Sequence, residues 1–502
     1  VTFAAYDCLA LEIAAFLILG LKVCTRFCWI VGSASLRPEM GSSFDVVSPA
    51  DGKVCQSVSF LSLDEAKEKL GRAEIAFQSF RKTKVRERVE LLKKFLDAFD
   101  SHQEEFAREL SVAMGKPVAQ AKNEIAGMRE RTLALCASAP VALAEQLLPE
   151  KPGLNRFVRR EPLGVVLDIA AWNYPYVVAI NVIAPAILAG NAVLLKHAEQ
   201  THCAAAQVEK AFIEAGAPEG LVQNLMAEHD TVRLLLEENR IAHVGFTGSV
   251  AGGREVYGRT AAGGLASCSL ELGGKDAAIV LPDADLKKAA AGICDGAFYN
   301  AGQSCCGVER IYVPRALHDE FVRLLVDEAH RLEVGSPLEA STSLGPVVHE
   351  AAAKRINAQV EAALSAGAKL ATDDARFDLP TSSNCYLPPR VLTHVSHEMD
   401  VMSEETFGPV VGVMAYDSLE EAVRLANDSK YGLTASVWSE DEEAVHSIGD
   451  ELEVGTVYMN RCDAVDADLP WIGVKESGLG FTLSHWGIER MTRPKSFNLR
   501  TS

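Results

Sequence analysis

Several things are scarce in this chain of 502 residues, and each scarcity excludes something. Basic charge is in deficit: 49 Lys and Arg face 68 Asp and Glu, a formal charge of -19. A general nucleic-acid binder needs a basic face, so that class is excluded, although a local basic pocket for a phosphate-bearing cofactor is not. The 12 cysteines are too dilute in a chain of this length to form a disulfide scaffold. Most are expected to pack as small apolar residues, and reduced thiols suit an intracellular compartment. Cys24 and Cys28 have no second pair at matching spacing, so no metal site is expected. A long uncharged apolar run is also missing. Residues 9–31 are apolar but carry Glu12, Lys22 and Arg26, and the uncharged stretch is only Ile13 to Leu21. A membrane span needs about 20 such residues. A signal peptide carries positive charge ahead of its apolar core, whereas Asp7 and Glu12 precede this one. Residues 1–36 are therefore read as an N-terminal extension, either an amphipathic or partly buried helix or the remnant of an anchor. Membrane association through residues 8–31 stays open. There is no internal repeat and no low-complexity segment.

What is present is ordinary for a globular protein: 48% hydrophobic and 23% charged residues. The length calls for more than one domain. Residues 37–54 read as a loop followed by a short strand pair. From Leu63 to about Gln146 the pattern is helical, with recurrent apolar and charged faces as in "RKTKVRERVELLKKFLDAF". "LLPEKPGLNRFVRREPLG" interrupts it with three prolines and a strand-like "NRFVRR". Short apolar runs then alternate with helix-like stretches: "GVVLDIAAW", "AVLLK", "LVQNLM", "IAHVGFTG" and "SCSLELGG". After Asp276 a second set follows: "DAAIVL", "RIYVP", "VVGVMAY", "ASVWS" and "GTVYMN". Such alternation marks parallel sheets with crossover helices, so the fold class is α/β.

Five short stretches bear on chemistry, and each has a plainer structural alternative. "GFTGSVAGGREVYG" places Gly248, Ser249 and Gly253 where a strand turns into a helix, and such a turn presents backbone N–H groups to phosphate. The spacing is not G-x-G-x-x-G, and a tight turn explains the glycines equally well. "AVLLKHAEQT" puts Lys196 and Glu199 after a strand, where ligands bind in parallel sheets and the pair could hold two ribose hydroxyls. A solvated loop is the alternative. Asn173 in "AAWNYPY" could donate to an oxyanion or simply bond its own turn. Glu271 in "SLELGGKDAAIV" sits in an apolar strand, where burial would raise its pKa toward that of a general base; a structural ion pair competes with that reading. "YNAGQSCCGVERIYV" sets Cys305 and Cys306 side by side before a strand. Adjacent cysteines do not readily bond to each other, and zinc ligation would need partners at finger-like spacing, which leaves a nucleophile.

Taken together and in this order, with "EETFGPV" at 404–410, these stretches resemble the aldehyde dehydrogenase superfamily over roughly residues 40 to 500. The resemblance implies a Rossmann-like cofactor domain (37–147 and 163–271), a catalytic domain (272–485) and a small β oligomerisation arm (148–162 and 486–500) that joins the chain into a homodimer or homotetramer. Its G-Q-x-C pattern falls on Gly302-Gln303-Ser304-Cys305, so Cys305 is the implied nucleophile, with Asn173 and the Cys305 N–H holding the oxyanion and Glu271 activating water. The implied cofactor contacts are Trp172, Lys196, Glu199, Gly248, Ser249, Gly253, Leu272, Glu405 and Phe407. Tyr174, Val178, Asn181, Ser304, Cys306 and Trp471 are pocket candidates for a small-molecule aldehyde, and Arg461 is the one arginine suggested for a substrate carboxylate. Ala171 and His197 depart from the commonest family residues at their positions, and His197 bears on how the adenosine end sits.

The implied reaction is oxidation of an aldehyde to the acid through a thiohemiacetal and a thioester on Cys305, with no metal. NAD is expected over NADP, because Glu199 would repel a 2′-phosphate. A CoA-acylating relative and a non-catalytic member are the alternatives. The presence of Glu271 disfavours the first, and the intact Asn173, Glu271 and Cys305 set disfavours the second.

Overall fold

The computed structural model describes residues 42–501. The helical stretch resolves into four helices, Leu63–Phe80, Val85–Asp100, Gln103–Met114 and Val118–Ala142. The first begins with a reciprocal cap: the Glu65 amide donates to Ser62 Oγ, and the Ser62 amide donates to the Glu65 carboxylate at 2.8 Å. Its buried positions, Ala66, Leu70, Ala73, Phe77 and Phe80, recur at the helical period. Helix ends at Ala142, short of the expected Gln146. Gln146–Leu147 is instead a two-residue strand, because it pairs with Leu154–Pro162.

The apolar runs form two mainly parallel sheets. The first has the strand order 478–479, 267–271, 241–247, 165–170, 192–197 and 222–224. Its central strands are buried on both faces, which is why they read as unbroken apolar runs. Every residue of the covering helix Pro175–Ala189 is buried as well. The order of strand addition across the sheet reverses at Val165–Ala170, which pairs in parallel with 192–197 on one side and 241–247 on the other. A crevice opens at the carboxyl ends of strands at such a point. The edge pair Gly478–Leu479 runs antiparallel to Ser267–Glu271 and comes from far along the sequence.

The second sheet has the order 369–370, 390–393, 410–416, 308–314, 276–280, 434–438 and 456–459, parallel except at 369–370. A third, antiparallel sheet joins Thr492–Arg500 to Leu154–Pro162 and Gln146–Leu147, with the Phe157 and Phe497 rings stacked at 4.5 Å. Residues Ser484–Arg490, partly assigned to the arm from sequence, form a helix that packs on the helices 118–142 and 175–189. Among the described residues no helix is long and apolar enough to cross a membrane. The segment 1–36, with Cys24 and Cys28, lies outside them.

Candidate active site

The cysteine pair follows a backbone turn under tight constraint. Asn300, Ala301 and Gly302 have φ of 53°, 56° and 68°, three successive left-handed residues. A Cβ on Gly302 would lie 2.2 Å from the Gly408 carbonyl oxygen, so the turn admits only glycine there. Hydrogen bonds hold this conformation. Gln303 Nε2 donates to the Asn300 carbonyl (3.0 Å), and Gln303 Oε1 accepts from the Val348 amide (2.8 Å). Asn300 Nδ2 donates to the carbonyls of Gln303 and Asn173, at 3.1 and 3.0 Å. Gly302 and Gln303 thus fix the path of the chain into Cys305.

Asn173 follows the strand Val165–Ala170 directly, at the carboxyl edge of the first sheet. Its Nδ2 donates to the Gln303 carbonyl at 3.2 Å, which ties the two loops together. The turn beyond it is braced from below. Glu124 accepts from the Tyr176 amide (2.7 Å) and pairs with buried Lys116, whose ammonium lies 3.9 Å from the centre of the Tyr174 ring.

Glu271 closes the strand Ser267–Glu271. Burial pushes its pKa up, while a hydrogen bond from the Thr482 hydroxyl and the charge of Arg131 oppose that rise. Thr247 Oγ1 approaches the other carboxylate oxygen at 3.5 Å.

These three residues form the wall between two cavities. One, of about 280 Å³, is lined by Tyr174, Val178, Asn181, Ser304, Cys306 and Trp471, together with Arg131, Asp295, Tyr299, Asp463 and others. The other, of about 300 Å³, is lined by Trp172, Gly248, Ser249, Leu272, Glu405 and Phe407, with Arg355 at its rim. Asn173, Glu271 and Cys305 border both. All the pocket candidates meet in the first cavity. Arg461 does not; it is exposed and lines a separate hollow with Asp285 and Lys288.

The second cavity fits one end of a nicotinamide dinucleotide. Trp172 and Phe407 pack edge to face at 5.5 Å, which leaves aromatic surface for a planar ring. Glu405 lines this cavity, its pKa pushed up to about 7 by burial. Ser249 caps the helix Val250–Gly263, whose N-terminus suits phosphate. Gly253 has a packing reason too, since a Cβ there would meet Leu272 at 2.5 Å. Lys196 and Glu199 line neither cavity. Lys196 is buried at the end of its strand, and Glu199 opens the short turn Glu199–Thr201. His197 is buried: its Nε2 meets the Pro175 carbonyl at 3.0 Å, and burial lowers its pKa to about 4.

Sequence reasoning passed over several residues. Buried Lys275 bonds Glu309 (2.6 Å), whose carboxylate accepts from the Thr406 and Phe407 amides, both at 2.8 Å. That pair holds the "EETFGPV" loop. Asp463 accepts from Ser304 Oγ (3.0 Å) and Cys306 Sγ (2.9 Å), and burial raises its pKa to about 6. The neighbouring Cys305 and burial push the Cys306 thiol well up, so Cys306 stays protonated and donates. Arg131 lay in the charged run "MRERTLAL", which reads as a solvated face. Its position three residues after buried Met128 and four before buried Leu135 was the available signal.

Comparison with known proteins agrees with this geometry. Residues 36–497 match the profile of the aldehyde dehydrogenase family. The chain is 35% identical to an aldehyde dehydrogenase of Paenarthrobacter nicotinovorans, over 90% of this chain and 98% of that one. It is 34% identical to the succinate semialdehyde dehydrogenase [NAD(P)+] Sad of Escherichia coli, over 88% and 95%. The crystal structure of an aldehyde dehydrogenase from Brucella melitensis biovar abortus superposes with a TM-score of 0.88 at 31% identity, covering 92% of this chain and 94% of that one. The family match over residues 36–497, with relatives at 34–35% identity along nearly their whole length, places the chain in the aldehyde dehydrogenase family, as an oxidoreductase that uses NAD or NADP.

Proposed function

We propose that this enzyme is of the hydrolysing type, with Cys305 as nucleophile, Asn173 as oxyanion donor and Glu271 as deacylation base. The observation that carries the reading is the position of these three residues on the wall shared by the two cavities, where a carbonyl on one side can meet an acceptor on the other. The Cys305 thiolate adds to the aldehyde carbon, and the new oxyanion accepts from Asn173 Nδ2 and the Cys305 amide. The dinucleotide, when bound, supplies an oxidised nicotinamide as hydride acceptor. Loss of hydride from the thiohemiacetal leaves a thioester on Cys305. Glu271 takes a proton from water as the water oxygen attacks the thioester carbonyl; the acid departs and the thiolate is restored. Trp172, Gly248, Ser249, Gly253, Leu272, Glu405 and Phe407 hold the dinucleotide, with Lys196 and Glu199 at its adenosine ribose, and Glu199 favours NAD. The three-stranded sheet serves as an arm between copies in a homodimer or homotetramer.

Glu271→Gln tests the assignment, since it keeps size and hydrogen bonding and removes the base. With NAD and aldehyde it should give a burst of about one NADH per active site, then a steady rate about 100-fold or more below that of the unmodified enzyme. Mass spectrometry should find the acyl group on the Cys305 peptide. Steady turnover at the unmodified rate with no adduct would remove Glu271 from the role.

A further inference from the structure

Arg131 is the cation in the wall of the aldehyde-side cavity, which also carries the carboxyl groups of Glu271, Asp295 and Asp463. It projects from the helix Val118–Ala142, and among the described residues it has no ion-pair partner in direct contact. Its Nη1 donates to Asn181 Oδ1 at 3.1 Å. Asn181 is buried on the neighbouring helix Pro175–Ala189 and borders the same cavity as Glu271.

The chemistry of these three groups sets a direction. A guanidinium can only donate, so Asn181 must turn its carbonyl oxygen toward Arg131. That leaves its NH₂ as the group available to the other side, where it favours the ionised form of Glu271. Without Arg131 the amide could flip and present oxygen to a carboxylate, which is repulsive. Arg131 also acts through space, and of the groups around it Glu271 feels it most, ahead of Cys306, Glu124 and Cys305. From the other elements, Thr482 and Thr247 donate to Glu271, while buried Asp168 on the adjacent strands' inner face adds a like charge when ionised. Glu124 is paired with Lys116, and the charge of Arg131 also acts on Asp463 across the cavity.

We propose that Arg131 is a positioning residue for deacylation: by orienting Asn181 and by its own charge it keeps Glu271 ionised and ready to take a proton from water. This rests on the reading of Glu271 as the base.

The test follows the NADH burst and the slow phase after it from about pH 5.5 to about pH 9. Removing the positive charge makes Glu271 harder to ionise, so its base form is lost at a higher pH. Arg131→Met should keep the burst and move the acid limb of the second phase up by about one unit, which slows that phase by up to about tenfold on the acid side and lets the deficit shrink in alkali. Arg131→Lys should restore part of the limb. A deficit equal at every pH, or a rise confined to the KM for aldehyde, overturns the proposal. If melting curves show Arg131→Met unfolded, Arg131→Lys and Asn181→Ser report the same limb, and an unmoved limb in both is equally fatal. Glu271→Gln separates the two levels. If that variant turns over steadily, the base assignment falls and takes this proposal with it. If it stalls after the burst while the Arg131 variants keep their acid limb, only the proposal falls.

Discussion

The two cavities that share Cys305 are built in different ways. The cofactor side is assembled from short contiguous pieces: Ala171 to Asn173, Thr247 to Ser249, Glu271 to Gly273, and Glu405 with Phe407. The first three stand at the ends of strands, and the last lies in the loop between the helix Asp400–Ser403 and the strand Val410–Tyr416. The aldehyde side is assembled mostly from single residues on helix faces and irregular loops, among them Arg131, Asn181, Asp295, Tyr299 and Asp463. The first design places backbone and side chains together, which suits a large ligand with constant parts. The second lets each position vary without disturbing its neighbours, which suits a substrate that differs among relatives. The charge differs as well. The aldehyde side holds Arg131 and Asp463 close to the reaction centre, whereas the cofactor side adds Glu405, with Arg355 at the rim.

The largest effect should come from the residue that belongs to both. Cys305→Ala should abolish the NADH burst and steady turnover together, while Cys306→Ala, which touches only the aldehyde side, should keep most of both in stopped-flow assays. Comparable losses in the two variants would break the distinction between shared and one-sided residues. Next comes the support of the cofactor side. Lys275→Met leaves the Glu309 carboxylate buried without its cation, at a cost of about 3–5 kcal/mol, and frees the loop that carries Phe407. A denaturation midpoint should fall accordingly, and the KM for NAD should rise more than the KM for aldehyde. Equal changes in the two KM values would show that the cavities are not supported independently. The smallest effect is at the edge of the cofactor side. Glu199→Gln should shift the NAD-to-NADP ratio of kcat/KM toward NADP by roughly fivefold, the size of one half-exposed charge contact of about 1 kcal/mol. A ratio that does not move would free Glu199 from any part in cofactor choice.

This contrast also sets what could be read without coordinates. The sequence by itself determined the parallel sheets, because strands covered on both faces must be continuously apolar, as in 165–170, 192–197 and 276–280. It likewise made the loops between the two cavities legible, because strand-end turns keep their residues adjacent in the chain: Asn173, Glu271 and Cys305 each stand within a short motif. Only the tertiary structure decided the rest. Gln146–Leu147 leaves the helix because the next strand, Leu154–Pro162, pairs with its backbone. His197 turns inward because the Pro175 carbonyl and Thr201 are there to bond it. Arg131 and Asp463 reach the site from positions 174 residues before Cys305 and 158 after it, across helix packing and an irregular loop. Beyond the helical spacing that Arg131 shares with buried Met128 and Leu135, nothing local marks such residues, since a charge in a helical run is written the same way whether it faces water or a cavity. What distinguishes them is which surface packs opposite, and that is settled only when the sheets and helices close around the cavity.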